Sequence, residues 1–184
     1  MSTLFTIRSR SDGKFGQGVV PPELRQHLDP LARLYLGEIP PEGLAGSTHH
    51  QWCRQSSPEL RSLVDVIKSH PIWEQLSDGT GAAVCDLGEM DELYYSRAPK
   101  ERGMLYGAAA NYDLHVDGVF AFPGVQVYRV LIGLTDNDHV ETQFPGLGVH
   151  HRLGKGEFIA FNFDRARHRV ALLPTSPMTA TASS

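Results

Sequence analysis

The stretch QVYRVLIGLTDNDHVETQFPGLGVHHRLGKGEFIAFNFDRARHRVALL, residues 126–173, decides the fold class of this chain. Within it, short apolar and β-branched runs alternate with turn-forming residues. The runs lie at 126–134, 157–163 and 169–173, and the Gly, Pro, Asn and Asp turn signals at 136–138, 145–146 and 154–156. Runs of this length between turns are typical of strands in a β-sandwich or barrel.

The strand pattern extends upstream to about residue 80, with further candidate strands at 82–87, 104–106 and 112–116. Before residue 80 the signals are helical instead. Helices first and strands second predict a mainly β, α+β chain with a helical layer packed outside the strands. We expect a single domain over 1–184, with the helical layer and loops at 1–80, the strand core at 81–173 and a flexible tail at 174–184.

The helical part contains several start signals. Pro21-Pro22-Glu23 opens one helical stretch, and Asp29-Pro30 is typical of an N-cap followed by proline at the first helical position. Ser57-Pro58-Glu59 repeats that signal. Behind it, apolar residues recur at the spacing of one buried helix face: Leu60, Leu63, Val64 and Ile67. A short turn or helix is expected at 71–76, and the Gly-, Pro- and Ser-rich segment 37–57 is predicted to be a long loop.

The composition excludes some partners. The chain is 41% hydrophobic with a net charge of -4, and its basic residues form no block, so nucleic acid and anionic membrane are poor expectations. No apolar run approaches the roughly 20 residues that span a bilayer, and a cytoplasmic setting is expected. Cys53 and Cys85 lack zinc-ligand spacing and are expected to be reduced thiols. The sequence indicates no oligomeric state.

Two His-x-Asp tripeptides occur in a chain with nine His, so the tripeptide alone is weak evidence. His27-Leu28-Asp29 lies on a predicted helix, where residues i and i+2 point in different directions and cannot easily share a metal ion. His115-Val116-Asp117 ends a predicted strand, where i and i+2 project from the same face. Two imidazoles and one carboxylate are the ligands of a mononuclear Fe(II) oxygenase, so a second His is needed.

His168 is the candidate for that second imidazole. It follows the apolar run 157–163 and opens another predicted strand. The alternative is a solvated residue within the basic run Asp164-Arg165-Ala166-Arg167-His168-Arg169.

From residue 104 to 173 the sequence resembles the 2-oxoglutarate/Fe(II)-dependent dioxygenases, with the prolyl-hydroxylase-like and aspartyl/asparaginyl-hydroxylase-like branches most similar. Five segments follow the family order: Leu105-Tyr106-Gly107, the His-x-Asp strand at 112–117, the apolar strand and turn at 130–137, Glu141-Thr142-Gln143-Phe144, and 154–163 followed by His168. At 139–140, His and Val replace the glycines usual in the family.

The resemblance implies a double-stranded β-helix (jelly-roll or cupin-like) core with the metal held by His115, Asp117 and His168. It also implies the cosubstrates 2-oxoglutarate and O₂, the coproducts succinate and CO₂, and the hydroxylation or desaturation of a small amino-acid-like metabolite or a peptide side chain. On this interpretation the chain is an oxidoreductase.

One departure from the family concerns the anchor of the 2-oxoglutarate distal carboxylate. The family places a basic residue on the strand after the distal His, but positions 170–184 contain none. Arg129 is the best replacement, because the segment 128–134 resembles a strand of the aspartyl-hydroxylase-like branch whose Arg helps to bind the cosubstrate. Arg129 also interrupts an apolar strand, and a buried guanidinium requires a carboxylate partner. An outward-facing arginine is the alternative. Arg169 is a second candidate, and Tyr112 is a candidate pocket residue that serves equally well as core filling.

Two other functions stay open at this point. The missing basic residue is compatible with a degenerate relative that binds metal or ligand without turnover. It is also compatible with a cupin-like metalloenzyme that does not use 2-oxoglutarate, whose activity would survive removal of that cosubstrate and loss of Arg129.

Overall fold

The computed structural model describes residues 15–45, 48–74, 90–96, 113–118, 127–162 and 164–172. The helices in these ranges are α1 (Pro22–Glu38), α2 (Pro41–Ala45) and α3 (Pro58–Lys68). The strands are β1 (Phe15–Val19), β2 (Thr48–Trp52), β3 (Glu92–Ser96), β4 (Tyr128–Ile132), β5 (Val140–Phe144), β6 (Val149–His151), β7 (Glu157–Asn162) and β8 (Arg169–Leu172). The predicted strands at 82–87 and 104–106, the tail at 174–184 and Cys85 lie outside the described residues.

The described strands form three antiparallel sheets, in the orders β1-β7-β4, β6-β5-β8 and β2-β3. Three strands predicted from the 126–173 stretch correspond to β4, β7 and β8. The prediction of a mainly β chain with helices beside the sheets is therefore confirmed at this level, whereas the double-stranded β-helix stays a prediction. None of the helices in the described part of the chain is long and apolar enough to cross a membrane.

The central strand β7 is buried on both faces, and this fixes a layered arrangement. Phe158 packs into the core cluster that contains the helix residues Leu24, Leu28 and Leu60. Alternate residues of β7 point the other way, so Phe161 joins Phe144 of β5 in a second cluster, with ring centroids 5.0 Å apart. Helices α1 and α3 thus cover one face of the β1-β7-β4 sheet, and the β6-β5-β8 sheet covers the other.

Helix α1 corrects the prediction that Asp29-Pro30 begins a helix. The helix starts at Pro22 and continues through Pro30. Proline inside a helix costs about 3 kcal/mol, and each buried leucine contributes about 1.5–3 kcal/mol. Leu24, Leu28 and Leu31 are all buried on α1, so their burial outweighs the proline. Asp29 forms an ion pair with Lys155 (2.6 Å) instead of capping a helix.

Helix α3 confirms the prediction made from Ser57-Pro58-Glu59. The Ser57 hydroxyl accepts a hydrogen bond from the Leu60 N–H at 3.3 Å, which is an N-cap. Leu60 and Ile67 are buried, and Leu63 and Val64 pack beside them, as the spacing predicts.

The prediction of a long loop at 37–57, and of only helices and loops before residue 80, is wrong. Strand β1 pairs with β7, and β2 pairs with β3. Their sequences, FGQGV and THHQW, lack the apolar alternation that marks a strand. Tertiary contacts supply what the local pattern lacks, since the Tyr35 hydroxyl of α1 donates to the Leu93 carbonyl of β3 at 2.9 Å.

Candidate metal centre

Residues 113–118 lie beside the start of β8 and are joined to it by one antiparallel bridge. The His115 N–H donates to the His168 carbonyl and the His168 N–H donates to the His115 carbonyl, each at 2.9 Å. The two histidines therefore lie opposite each other on adjacent backbone segments, although they are far apart in sequence. Instead of the strand predicted at 112–116, the described residues 113–116 form this single bridge.

The three predicted ligands converge on one point. The Nε2 atoms of His115 and His168 each lie 3.5 Å from Asp117 Oδ1. His115 and Asp117 share one side of an extended segment, whereas Leu114, the residue before His115, is 42% exposed. One donor atom from each of the three residues lies within 4.8 Å of the others, and no other such cluster occurs in the described part of the chain.

Main-chain carbonyls orient both imidazoles. His115 Nδ1 contacts the carbonyl of Asp113, and His168 Nδ1 lies 3.1 Å from the carbonyl of Ala166. A carbonyl only accepts, so in each ring Nδ1 carries the proton and donates. In a neutral ring Nε2 then presents a lone pair, and both Nε2 atoms face Asp117. This arrangement, with the outer nitrogen tied to backbone, is typical of metal-binding histidines.

His168 is held in a dry environment. It is 5% exposed, and its ring lies 4.7 Å from the Phe161 ring and 5.5 Å from the Phe144 ring. Burial lowers the pKa of His168, which favours the neutral imidazole that a metal ion requires.

The donor set fits a divalent cation. Within the described ranges, two imidazole lone pairs and a carboxylate oxygen meet with no donor between them, and Asp117 Oδ2 is buried without a hydrogen bond. Arg129 Nε lies 3.0 Å from that oxygen, but its N–H is not directed at it, so the contact balances charge without forming a hydrogen bond. Metal–ligand bonds of about 2.1 Å place neighbouring donor atoms roughly 3.0–3.4 Å apart, close to the spacing found here.

The other His-x-Asp tripeptide takes no part in this cluster. His27 and Asp29 both lie on α1, and Asp29 is engaged by Lys155. The helical position that the sequence predicts for these two residues is therefore confirmed.

Arg129 lies beside the cluster with its side chain turned inward, so the outward-facing alternative is wrong. It is on β4, opposite Phe161 of β7. Its Nη1 donates to Glu92 Oε2 at 2.8 Å, and the Arg129 side chain is only 16% exposed. Burial by itself would lower the pKa of Arg129, but the charges of Asp117 and Glu92 outweigh burial and raise it. The guanidinium thus finds carboxylate partners, and they belong to the chain itself.

Glu92 is the site residue that sequence reasoning missed. It lies on β3, in the segment 88–103 that shows no motif, and its side chain is 9% exposed. The Tyr94 hydroxyl donates a hydrogen bond to Glu92 Oε2. The His50 ring stacks on the Tyr94 ring with centroids 4.9 Å apart, and His50 Nε2 lies 3.8 Å from Glu92 Oε2. The pairing of β2 with β3 places His50 beside Tyr94, and no local pattern in the sequence signals it.

Of the two remaining predicted residues, the structure describes only Arg169. Arg169 follows His168 and is exposed, and its Nε donates to Gln143 Oε1 at 2.7 Å. Successive residues of a strand face opposite sides, which places Arg169 away from the cluster. Tyr112 lies outside the described residues.

A cavity of about 540 Å³ opens beside the cluster, and its lining includes His50, Tyr94, Arg129 and His139.

No family model and no curated protein matches this chain. Among solved structures, the chain is similar to a Pseudomonas putida prolyl-4-hydroxylase at 19% sequence identity and a TM-score of 0.45, covering 89% of this chain and 87% of that one. A likeness of this size establishes neither a shared fold nor a shared activity, so the function must be inferred from the side chains described above.

Proposed function

We propose that this chain is a non-haem Fe(II)-dependent oxygenase that uses 2-oxoglutarate and O₂ to hydroxylate a small amino-acid-like metabolite or a peptide side chain. The observation that carries the proposal is the convergence of the His115 and His168 lone pairs on one oxygen of Asp117. Two imidazoles and one carboxylate with open positions are the ligand set of non-haem Fe(II) oxygenases. The order of sequence motifs between 104 and 173 supports 2-oxoglutarate as cosubstrate and a double-stranded β-helix as the core.

In this proposal the chain supplies the ligands and their orientation. Iron bound here would provide the centre at which 2-oxoglutarate is oxidised to succinate and CO₂ and O₂ is activated. The carbonyls of Asp113 and Ala166 hold the two imidazoles in the tautomer that exposes Nε2. Phe144 and Phe161 pack against His168 and exclude water from one side of the site.

Purified protein reconstituted with Fe(II) tests the proposal. Without oxygen, addition of 2-oxoglutarate should produce an iron–cosubstrate absorption band; with oxygen and ascorbate, succinate should be released. His168→Ala should abolish both signals, while His27→Ala, the matched change in the helical His-x-Asp, should leave both unchanged. Equal behaviour of the two variants would contradict the ligand assignment. Metal binding without succinate, with any amino acid or peptide offered, would instead favour a relative without turnover.

A second candidate function is a metal-dependent enzyme of the same site that does not take 2-oxoglutarate. The observation favouring it is that Arg129, expected to anchor the distal carboxylate, is engaged by Glu92 and Asp117. Oxygen consumption with Fe(II) discriminates the two: the first candidate requires added 2-oxoglutarate, and the second proceeds without it.

A further inference from the structure

Glu92, Arg129 and Asp117 form a continuous line of charges across three separate segments of the chain. Arg129 Nη1 lies 2.8 Å from Glu92 Oε2, and Arg129 Nε lies 3.0 Å from Asp117 Oδ2. We propose that Glu92 and Arg129 are positioning residues that fix the Asp117 carboxylate for metal binding, and that Arg129 is not the anchor of the cosubstrate. This inference rests on the metal centre of the proposed function.

The two oxygens of Asp117 have different surroundings, which is the geometric basis of the proposal. Oδ1 faces Nε2 of His115 and Nε2 of His168, each at 3.5 Å. Oδ2 faces the Arg129 guanidinium. A carboxylate turns readily about its last bond, so a cation at Oδ2 holds Oδ1 toward the imidazoles.

Glu92 is needed because Arg129 is itself buried. The side chains of Glu92, Arg129 and Asp117 are 9%, 16% and 10% exposed, so none is well screened by water. If Asp117 bound a divalent ion, less of its negative charge would be left to balance Arg129. The guanidinium would then be a poorly compensated cation beside the metal. Glu92 balances it, and the Tyr94 hydroxyl, which donates to Glu92, fixes the far end of the line.

The sign of the effect separates positioning from simple electrostatics. Removing a positive charge next to a cation site should tighten metal binding if Arg129 acted only through its charge. Removing a residue that holds a ligand in place should weaken binding. Loss of the side chains that contact and orient metal ligands typically weakens metal affinity by roughly 10- to 100-fold. The two readings therefore predict opposite changes for Arg129→Met.

Titration of the full chain with Co(II), followed by its visible absorption, provides the test. Arg129→Met and Glu92→Gln should each weaken Co(II) binding, by roughly 10- to 100-fold. The double variant should cost little more than the worse single variant, because the two residues act through one line of contacts. Arg129→Lys keeps the charge but not the two-sided contact, so it should lie between wild type and Arg129→Met. Arg152→Met is the matched control, because Arg152 also faces a carboxylate (Glu141, 3.7 Å) but lies away from the site; it should bind Co(II) as wild type does.

Unchanged or tighter Co(II) binding by Arg129→Met would overturn the proposal. Arg129→Met would also overturn it if its Co(II) affinity were unchanged but a higher concentration of 2-oxoglutarate were needed for activity, as expected for loss of a cosubstrate anchor. Both results leave the metal centre intact, whereas failure of the wild-type chain to bind Co(II) would overturn the metal centre and the positioning roles together. Circular dichroism of the metal-free variants checks folding. If Arg129→Met does not fold, Arg129→Lys decides, because it keeps the charge: positioning predicts weaker Co(II) binding, and unchanged binding would overturn the proposal.

Discussion

Asp117 is the residue on which the site depends most, because it is where the imidazole pair and the Glu92–Arg129 pair meet. Each of its oxygens faces a different group. Its replacement should therefore act on metal binding first.

Asp117→Asn is expected to weaken Co(II) binding by more than about 100-fold, because it removes a direct ligand, and even loss of an outer partner costs about 10- to 100-fold. The titration that follows Co(II) absorption measures this directly. Asp113→Asn is the matched control in the same segment, since Asp113 is exposed and orients His115 through its main-chain carbonyl, which Asn retains. Similar losses in both variants would contradict the role assigned to Asp117.

His168 predicts a pH dependence of stability for the metal-free protein. Burial lowers the pKa of His168 in the folded state below its ordinary value. The unfolded chain therefore binds a proton more readily, and the contribution of His168 to stability is present above the ordinary His pKa of about 6.5 and is lost as the pH falls below it. Urea unfolding at pH 7.5 and at pH 5.5 should show a smaller pH-dependent loss for His168→Phe than for wild type. Equal losses would show that His168 does not titrate as expected.

At this scale the sequence could predict which three residues cluster, but not the residues that contact the cluster. His115 and Asp117 were found because strand alternation places i and i+2 on one face, and His168 because its segment follows in family order. Glu92 could not be found in the same way, because its link to Arg129 depends on how β3 and β4 are brought together in space.

At the scale of elements, main-chain atoms pack closely at the junction between β4 and the turn before β7. The N–H of Gly133, directly after β4, donates to the Glu157 carbonyl, and the Gly156 N–H donates to the Gly133 carbonyl, each at 2.9 Å. A Cβ at Gly133 would come within 2.1 Å of the Gly154 carbonyl oxygen, which is main chain and cannot rotate away. This junction fixes the end of the strand that carries Arg129.

Gly133→Ala is expected to lower the free energy of unfolding by about 1–3 kcal/mol, the usual cost of overpacking. Urea denaturation measures the change. Gly37→Ala is the matched control: Gly37 lies in α1 with nothing within 4 Å of a built Cβ, so alanine there should be neutral or stabilising by up to about 1 kcal/mol. A neutral Gly133→Ala would mean that the junction is not close-packed.

Helix α3 could be predicted from the sequence because its signals are local, whereas β2 could not because it depends on distant contacts. The ends and buried face of α3 are encoded locally, in Ser57, Pro58 and the spacing of Leu60 and Ile67. Strand β2 is stabilised by its partner β3 and by the Tyr35 hydroxyl, which lies 3.3 Å from the His49 carbonyl. A strand whose stability comes from such distant contacts leaves no periodic signal in its own residues.

At the scale of the whole molecule, the layered packing determines where the site lies. Phe161 and Phe144 occupy the space between the β1-β7-β4 and β6-β5-β8 sheets, and His168 packs against both rings. The three clustered side chains, His115, Asp117 and His168, therefore lie at the edge of a core rather than on a free surface. The sequence predicts helices packed outside the strands, but the pairing of these two sheets around the histidines depends on long-range contacts.

Because the candidate ligands come from two backbone segments joined by a single bridge, metal binding should stabilise the fold in a localised way. Ligand at 100 times its dissociation constant adds about 2.7 kcal/mol to the free energy of unfolding. Saturating Co(II) should therefore raise the midpoint of thermal unfolding of wild type, and should have no such effect on His168→Ala.

Hydrogen exchange locates the gain: the N–H groups of His115 and His168, which form the bridge, should become more protected, because the metal ties together the side chains on either side of it. Residues of α3, on the far side of the β1-β7-β4 sheet, should change only as much as global stability does. Uniform protection across the chain, or a shift in midpoint shared by His168→Ala, would place the bound metal elsewhere.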